Sequence, residues 1–162
     1  GTVEYQRNIA IAGCSYSQII QCRSWLPDEI GGIAWFSFDN PGQSPRIPIF
    51  AGVSKLPRSF EIGAQHRYRT DSACWYFKRA NRLATVRWQS NRKVIEEAVK
   101  EFEDKAFLEL PDIEKKAKQL YKKDPKKCRE YLTTYTTNFA RATMNKWWEL
   151  GDYFWGLYRR GF

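Results

Sequence analysis

Arg23-Ser-Trp-Leu-Pro-Asp-Glu-Ile-Gly-Gly-Ile-Ala-Trp-Phe-Ser-Phe-Asp-Asn-Pro41 runs on, after two residues, into Ser44-Pro-Arg-Ile-Pro-Ile-Phe-Ala-Gly-Val53. Tryptophans, a glycine pair and prolines 27, 41, 45 and 48 crowd this stretch, a density that a shaped site or an unusual set of turns requires. Glycines 31 and 32 open backbone angles closed to other residues. The prolines fix φ and remove donors, which holds the backbone in particular turns and sheet edges.

Working outward, residues 8–39 read as strands. Residues 8–14 are apolar, residues 16–25 alternate in part, and residues 30–38 are rich in β-branched and aromatic side chains. Strands that follow one another through short turns argue for an antiparallel meander. Residues 40–70 read as an irregular, proline-punctuated loop with one extended piece at 47–53. From Thr70 the period changes. Thr70-Asp71-Ser72 supplies capping oxygens for a helix over 73–86, with Asp71 weighed as a cap or an acid. Val94, Ile95, Ala98, Val99, Phe102 and Ala106 then recur at helical spacing, and Pro111 is expected to end that helix and open the next. Asp124-Pro125 repeats the start signal before a long final helix. Its end, Trp147-Trp-Glu-Leu-Gly-Asp-Tyr-Phe-Trp155, is apolar nearly all round and is expected to be buried against other protein. The fold class is therefore α+β, with strands and a proline-rich loop over 1–70 and a helical portion over 71–162 packing on the sheet.

The 162 residues carry a net charge of +9, seven basic against five acidic side chains over 1–70 and twenty against thirteen over 71–162. Lys93, Lys100 and Lys105 are interleaved with Glu96, Glu97, Glu101 and Asp104 at spacings of three and four, which reads as a solvated helix face and makes a poor phosphate track. No run approaches the roughly 18 apolar residues of a membrane span, and no basic-then-apolar leader precedes the first strand, so any export signal is expected upstream and the compartment stays open. Neither a nucleic acid nor a membrane is expected as a partner. Cys14, Cys22, Cys74 and Cys128 lack any metal-ligand spacing, and with the single histidine, His66, they suggest no zinc set; buried free thiols are expected.

Four segments, in order, resemble the cysteine dipeptidases of the dipeptidase A and secernin type, which belong to the N-terminal nucleophile hydrolases. They are Ser15-Tyr-Ser-Gln-Ile-Ile-Gln-Cys-Arg-Ser-Trp-Leu-Pro27, Gly31-Gly-Ile-Ala-Trp-Phe-Ser-Phe-Asp39, Pro45-Arg-Ile-Pro-Ile-Phe-Ala-Gly52 and Arg69-Thr-Asp-Ser-Ala-Cys-Trp-Tyr-Phe77, and Trp147-Trp-Glu-Leu-Gly-Asp152 fits as well. The resemblance implies part of an αββα sandwich, two antiparallel sheets face to face with helices outside. It also implies hydrolysis of short peptides by an N-terminal cysteine, whose own α-amino group, of pKa near 8, is the base. No cofactor is implied. Because this sequence begins Gly1-Thr2-Val3, the catalytic cysteine is expected outside it. The chain is then expected to be a C-terminal portion, inactive alone, whose partners are a short peptide and the N-terminal portion of the same protein.

Within the chain, the candidates are substrate contacts. Arg23, after the polar run Ser15 to Gln18, is placed to grip a peptide carboxylate, or else to pair with Asp28, Asp39 or Asp71, and Tyr16, Ser17 and Gln18 of that run are further candidates. Trp25 and Trp35 wall a pocket or pack the core. Two other functions stay open: a non-catalytic interaction domain that keeps the fold, and a basic aromatic nucleic-acid binder. The first predicts the segment 147–155 buried with no exposed apolar patch. The second needs Tyr16, Trp25, Trp35 or Phe36 exposed on a sheet beside arginines. A part of a larger sheet should leave one strand edge open, for the rest of the protein or for a second copy in a homo-oligomer.

Overall fold

The computed structural model describes residues 8–63 and 66–161, so the expectations attached to Gly1 and Thr2 fall outside the described residues. Elements follow one another as β1 (Tyr16–Gln21), α1 (Asp28–Gly31), β2 (Ile33–Phe38), β3 (Ile47–Phe50), α2 (Arg58–Glu61), α3 (Ala73–Val86), α4 (Trp88–Lys123) and α5 (Pro125–Leu157). The protein is α+β: the strands make one antiparallel sheet in the order β1-β2-β3, and the C-terminal half is helical. Register is set by Tyr16 opposite Phe38, Ile19 opposite Trp35, and Trp35 opposite Pro48.

β2 is the central strand, and both of its faces are covered. On one face, Trp35 packs against Phe107 of α4, their rings 5.1 Å apart, and Phe50 of β3 meets Tyr135 of α5. On the other, Phe36 and Phe38 meet Phe60 of α2, and Phe38 stacks on Phe77 of α3 at 5.5 Å. That double burial is why β2 reads as a continuous apolar run rather than an alternating one. β1 is different. Its outer edge has no strand partner among the described residues, and Tyr16, Ile19 and Ile20 are more than half exposed on it.

Several expectations need correction. Residues 8–14 form turns, not a strand, with the Cys14 N–H bonded to the Ile11 carbonyl. Residues 28–31 are a helical turn, because Pro27 at the cap and Asp28 and Glu29 in the first turn suit a helix start. Gly31 ends it where no side chain would fit: a Cβ there would stand 2.6 Å from the Arg23 carbonyl oxygen. At α3 the Ser72 hydroxyl does not cap the helix but donates to the Ile62 carbonyl at 2.8 Å, while Asp71 pairs with Arg69. Asp124 does cap α5, accepting from the N–H groups of Lys126 and Lys127. In α5, Trp147, Leu150 and Phe154 are buried, whereas Tyr153 and Trp155 stay largely exposed. Among the described residues no helix is long and apolar enough to cross a membrane.

Pro111 does not end a helix: α4 runs through it without a break. The buried positions explain this, since Ile95, Ala98, Phe102, Ala106 and Ala117 keep one helical phase across the proline. Pro111 itself is exposed, so the carbonyl it leaves unbonded can be solvated. Proline remains the poorest helix residue. Pro111→Ala is therefore expected to raise stability by about 2 kcal/mol in urea unfolding, after allowance for a looser unfolded chain. A loss of stability would mean that the proline holds a bend the packing needs.

Candidate functional site

β1 places Tyr16, Ser17 and Gln18 at an open edge, and the strand period sends Ser17 to the opposite face from its neighbours. The exposed Tyr16 ring stacks on Phe36 at 5.4 Å. Ser17 and Gln18 line a surface cavity of about 430 Å³ together with Ile9, Ile19, Pro41 and Arg46. Among the described residues Arg46 is its one ionisable lining residue. The guanidinium donates from Nη1 to Glu103 of α4 at 2.9 Å and is about one-third exposed.

Arg23 lies elsewhere. Its Nε donates to the Gly31 carbonyl and its Nη2 to the Ile30 carbonyl, while Nη1 pairs with Glu114 of α4. The carboxylate partner is thus Glu114, not Asp28, Asp39 or Asp71, and the side chain is only 9% exposed. Trp35 is buried, its indole N–H bonded to the Gln21 side chain at 3.0 Å. Trp25, by contrast, is 77% exposed on the loop before α1. Of the five candidates, then, the cavity brings together Ser17 and Gln18. Neither Arg23, Trp35 nor Tyr16 lines it. With Trp35 buried and Phe36 half-buried, Tyr16 is the exposed one of the sheet rings that nucleic-acid stacking requires.

A second cluster escaped the sequence reading. Asp39 is fully buried at the end of β2, with φ +57°, a left-handed conformation that aspartate tolerates better than most residues. Its carboxylate accepts from Asn81 Nδ2 at 3.0 Å and Arg82 Nη2 at 3.1 Å. Asn81 also donates to the Ser44 hydroxyl and accepts from the Trp147 indole N–H at 3.1 Å. Arg82 donates further to the Ala12 carbonyl, and its buried Nη1 has no hydrogen-bond partner among the described residues. The signal in the sequence was Asp-Asn-Pro after a β run, which demands a turn. Asp39→Ala would strand buried donors and is expected to cost about 3 kcal/mol of unfolding free energy. A cost below ~1 kcal/mol would show that Asn81 and Arg82 find other acceptors.

All four thiols are free, but only Cys128 is buried as expected: Cys14 and Cys74 are partly covered and Cys22 is exposed. Burial pushes the Cys74 thiol up, with Asp39 adding to it against Lys78 and Arg82, and burial likewise raises Cys128, with Glu29 adding. Thiolate is the reactive form, so neither is activated. No metal-binding group of side chains occurs among the described residues. Burial also raises the Tyr135 hydroxyl, helped by Glu109, to which it donates at 3.2 Å. A raised value means the folded chain holds this proton longer than the unfolded one. Stability from Tyr135 is then intact below the ordinary tyrosine range near pH 10 and lost as pH rises above it. Melting followed from pH 9 to 11.5 should fall less steeply for Tyr135→Phe than for the unaltered chain. Equal slopes would place the alkaline loss elsewhere.

The sequence profile of peptidase family C69 matches residues 2–101, and the chain belongs to that family, a dipeptidase-type family. A probable dipeptidase B from Streptococcus pyogenes serotype M1 is 24% identical over 131 residues, which covers 80% of this chain and 26% of that protein. The chain thus spans about a quarter of the length of the curated relative it matches.

Proposed function

We propose that the chain is the C-terminal portion of a cysteine-type dipeptidase built as an N-terminal nucleophile hydrolase. The observation that carries this reading is membership of peptidase family C69 over residues 2–101. The relative's printed name, a probable dipeptidase, supports dipeptides as the substrate class. In this reading the three-stranded sheet is one part of an αββα sandwich. The open edge of β1 and its exposed Tyr16, Ile19 and Ile20 are where the remainder joins.

The chemistry is acyl transfer. A terminal cysteine thiolate on another segment attacks the peptide carbonyl, the C–N bond breaks, and a thioester forms. The α-amino group takes the thiol proton and passes it to the leaving amine, and water then cleaves the thioester to the acid. This chain contributes scaffold and substrate contacts rather than the nucleophile, which agrees with the raised thiols of Cys74 and Cys128. Ser17 and Gln18 are the expected contact residues that one ligand could touch together.

The test is reconstitution. Co-expression with a cysteine-initiated upstream portion should give dipeptide hydrolysis that iodoacetamide abolishes, while the chain alone gives none. Turnover by these residues alone, or failure of both the reunited and the uninterrupted protein on every dipeptide tried, would overturn the reading.

A further inference from the structure

Among the described residues that line the β1 cavity Arg46 is the cation, and its surroundings specify what it could hold. We propose that Arg46, not Arg23, is the anchor for the α-carboxylate of a short peptide with an apolar C-terminal residue; the inference rests on the peptidase reading above. Arg46 directly precedes β3, and Ile47 opposes Phe36 in the register. It therefore falls in the cross-strand row of Ser37 and Ser17, which oppose each other between β2 and β1. A long side chain in that row can reach along the sheet toward β1, which is how Arg46 and three consecutive β1 residues line one cavity.

The hydrogen bonds decide between the two arginines. Arg23 has all three of its nitrogens engaged by protein acceptors and is almost wholly covered. Arg46 engages only Nη1, with Glu103, whose carboxylate also accepts from the Arg46 backbone N–H at 3.4 Å. Among the described residues nothing meets Nε or Nη2, the paired edge of the guanidinium that grips a carboxylate with two parallel bonds. Glu103 thereby fixes the plane of the fork and leaves that edge open. The Ser17 hydroxyl and the Gln18 amide likewise have no protein partner among the described residues, and can serve the peptide's own N–H and C=O groups. Ile9, Ile19 and Pro41 supply apolar walls, so the residue that carries the carboxylate should be apolar. A cavity of this size accommodates a small ligand.

The experiment is a titration of the ¹⁵N-labelled chain with Leu-Leu and with Leu-Leu-amide, read from the amides of Ser17, Gln18, Ile19 and Gly42 and from the Arg46 Nε–H. Leu-Leu should shift these resonances, and amidation should weaken binding about tenfold, the worth of one charge-assisted hydrogen bond. Arg46→Gln should weaken Leu-Leu by a similar factor and make dipeptide and amide equal, whereas Arg23→Gln should leave the ratio unchanged. If Arg46→Gln or Arg23→Gln fails to fold, the dipeptide-to-amide ratio on the unaltered chain decides. Equal affinity for the two ligands there, or no shift at these residues, overturns the proposal. Hydrolysis by the reconstituted enzyme is read separately. Turnover indifferent to amidation and to Arg46→Gln would sink the anchor and spare the peptidase, and carboxylate-dependent binding without turnover would do the reverse.

Discussion

One side chain ties the two halves of this protein together. Asn81 of α3 reaches Asp39 at the end of β2, Ser44 in the loop before β3 and the Trp147 indole of α5, all within a fully buried volume. Each of these groups would cost free energy if buried alone, and together they leave few polar atoms unmatched. The sheet cannot slide on the helices without breaking the set, because hydrogen bonds, unlike apolar contacts, specify one register. The Trp147 N–H adds the Gln43 carbonyl at 3.2 Å, and the Ser37 hydroxyl holds the Ser44 carbonyl, so the start of the proline-rich loop is fixed at two adjacent residues.

That constraint explains what the sequence made legible and what it did not. β2 and β3 were readable because β-branched and aromatic runs bounded by proline leave few alternatives. The phase of α4 was readable too, from Val94 to Ala106. Its continuation through Pro111 was misread because a local rule was weighed above a periodic one, although Ile113, Ala117 and Leu120 carry the same stripe onward. Residues 8–14 failed for the opposite reason. A short apolar run without alternation has no period to read, and here it serves as turns whose Ala12 carbonyl satisfies Arg82. For the site, Arg23 stood out because of its sequence neighbours. Arg46 did not, because its significance lies in Glu103, 57 residues away.

Charge divides along α4 in a way that net charge conceals. Between residues 92 and 109 the ion pairs run i to i+4: Arg92 with Glu96, Lys93 with Glu97, Lys100 with Asp104, Lys105 with Glu109. Each is exposed and worth a few tenths of a kcal/mol, so their effect is solubility more than stability. From 115 to 127 the pattern stops. Seven lysines occur there against a single acid, Asp124, which is occupied in capping α5. The interleaving that argued for a bland solvated face therefore holds for the first part of the helix and not for its end.

Exposed apolar groups occur on the strands and on the helices alike, Phe107 and Leu108 of α4 and Tyr153 and Trp155 of α5 among them. Tyr16, Ile19 and Ile20 on β1 and Trp25 just beyond it each leave half or more of their surface in water, while β2, one strand in, is closed on both faces. Covering each such side chain would release about 1 kcal/mol or more, and pairing the β1 edge would satisfy a row of backbone groups that no strand among the described residues serves. A non-catalytic domain complete in itself would be expected to blunt such an edge with charge or proline. β1 carries neither, its sequence being Tyr-Ser-Gln-Ile-Ile-Gln. Because Phe107, Leu108, Tyr153 and Trp155 on the helices are exposed to a similar degree, it is the unblunted edge, not exposed apolar area, that marks β1 as the place where the proposed remainder of the sheet would join.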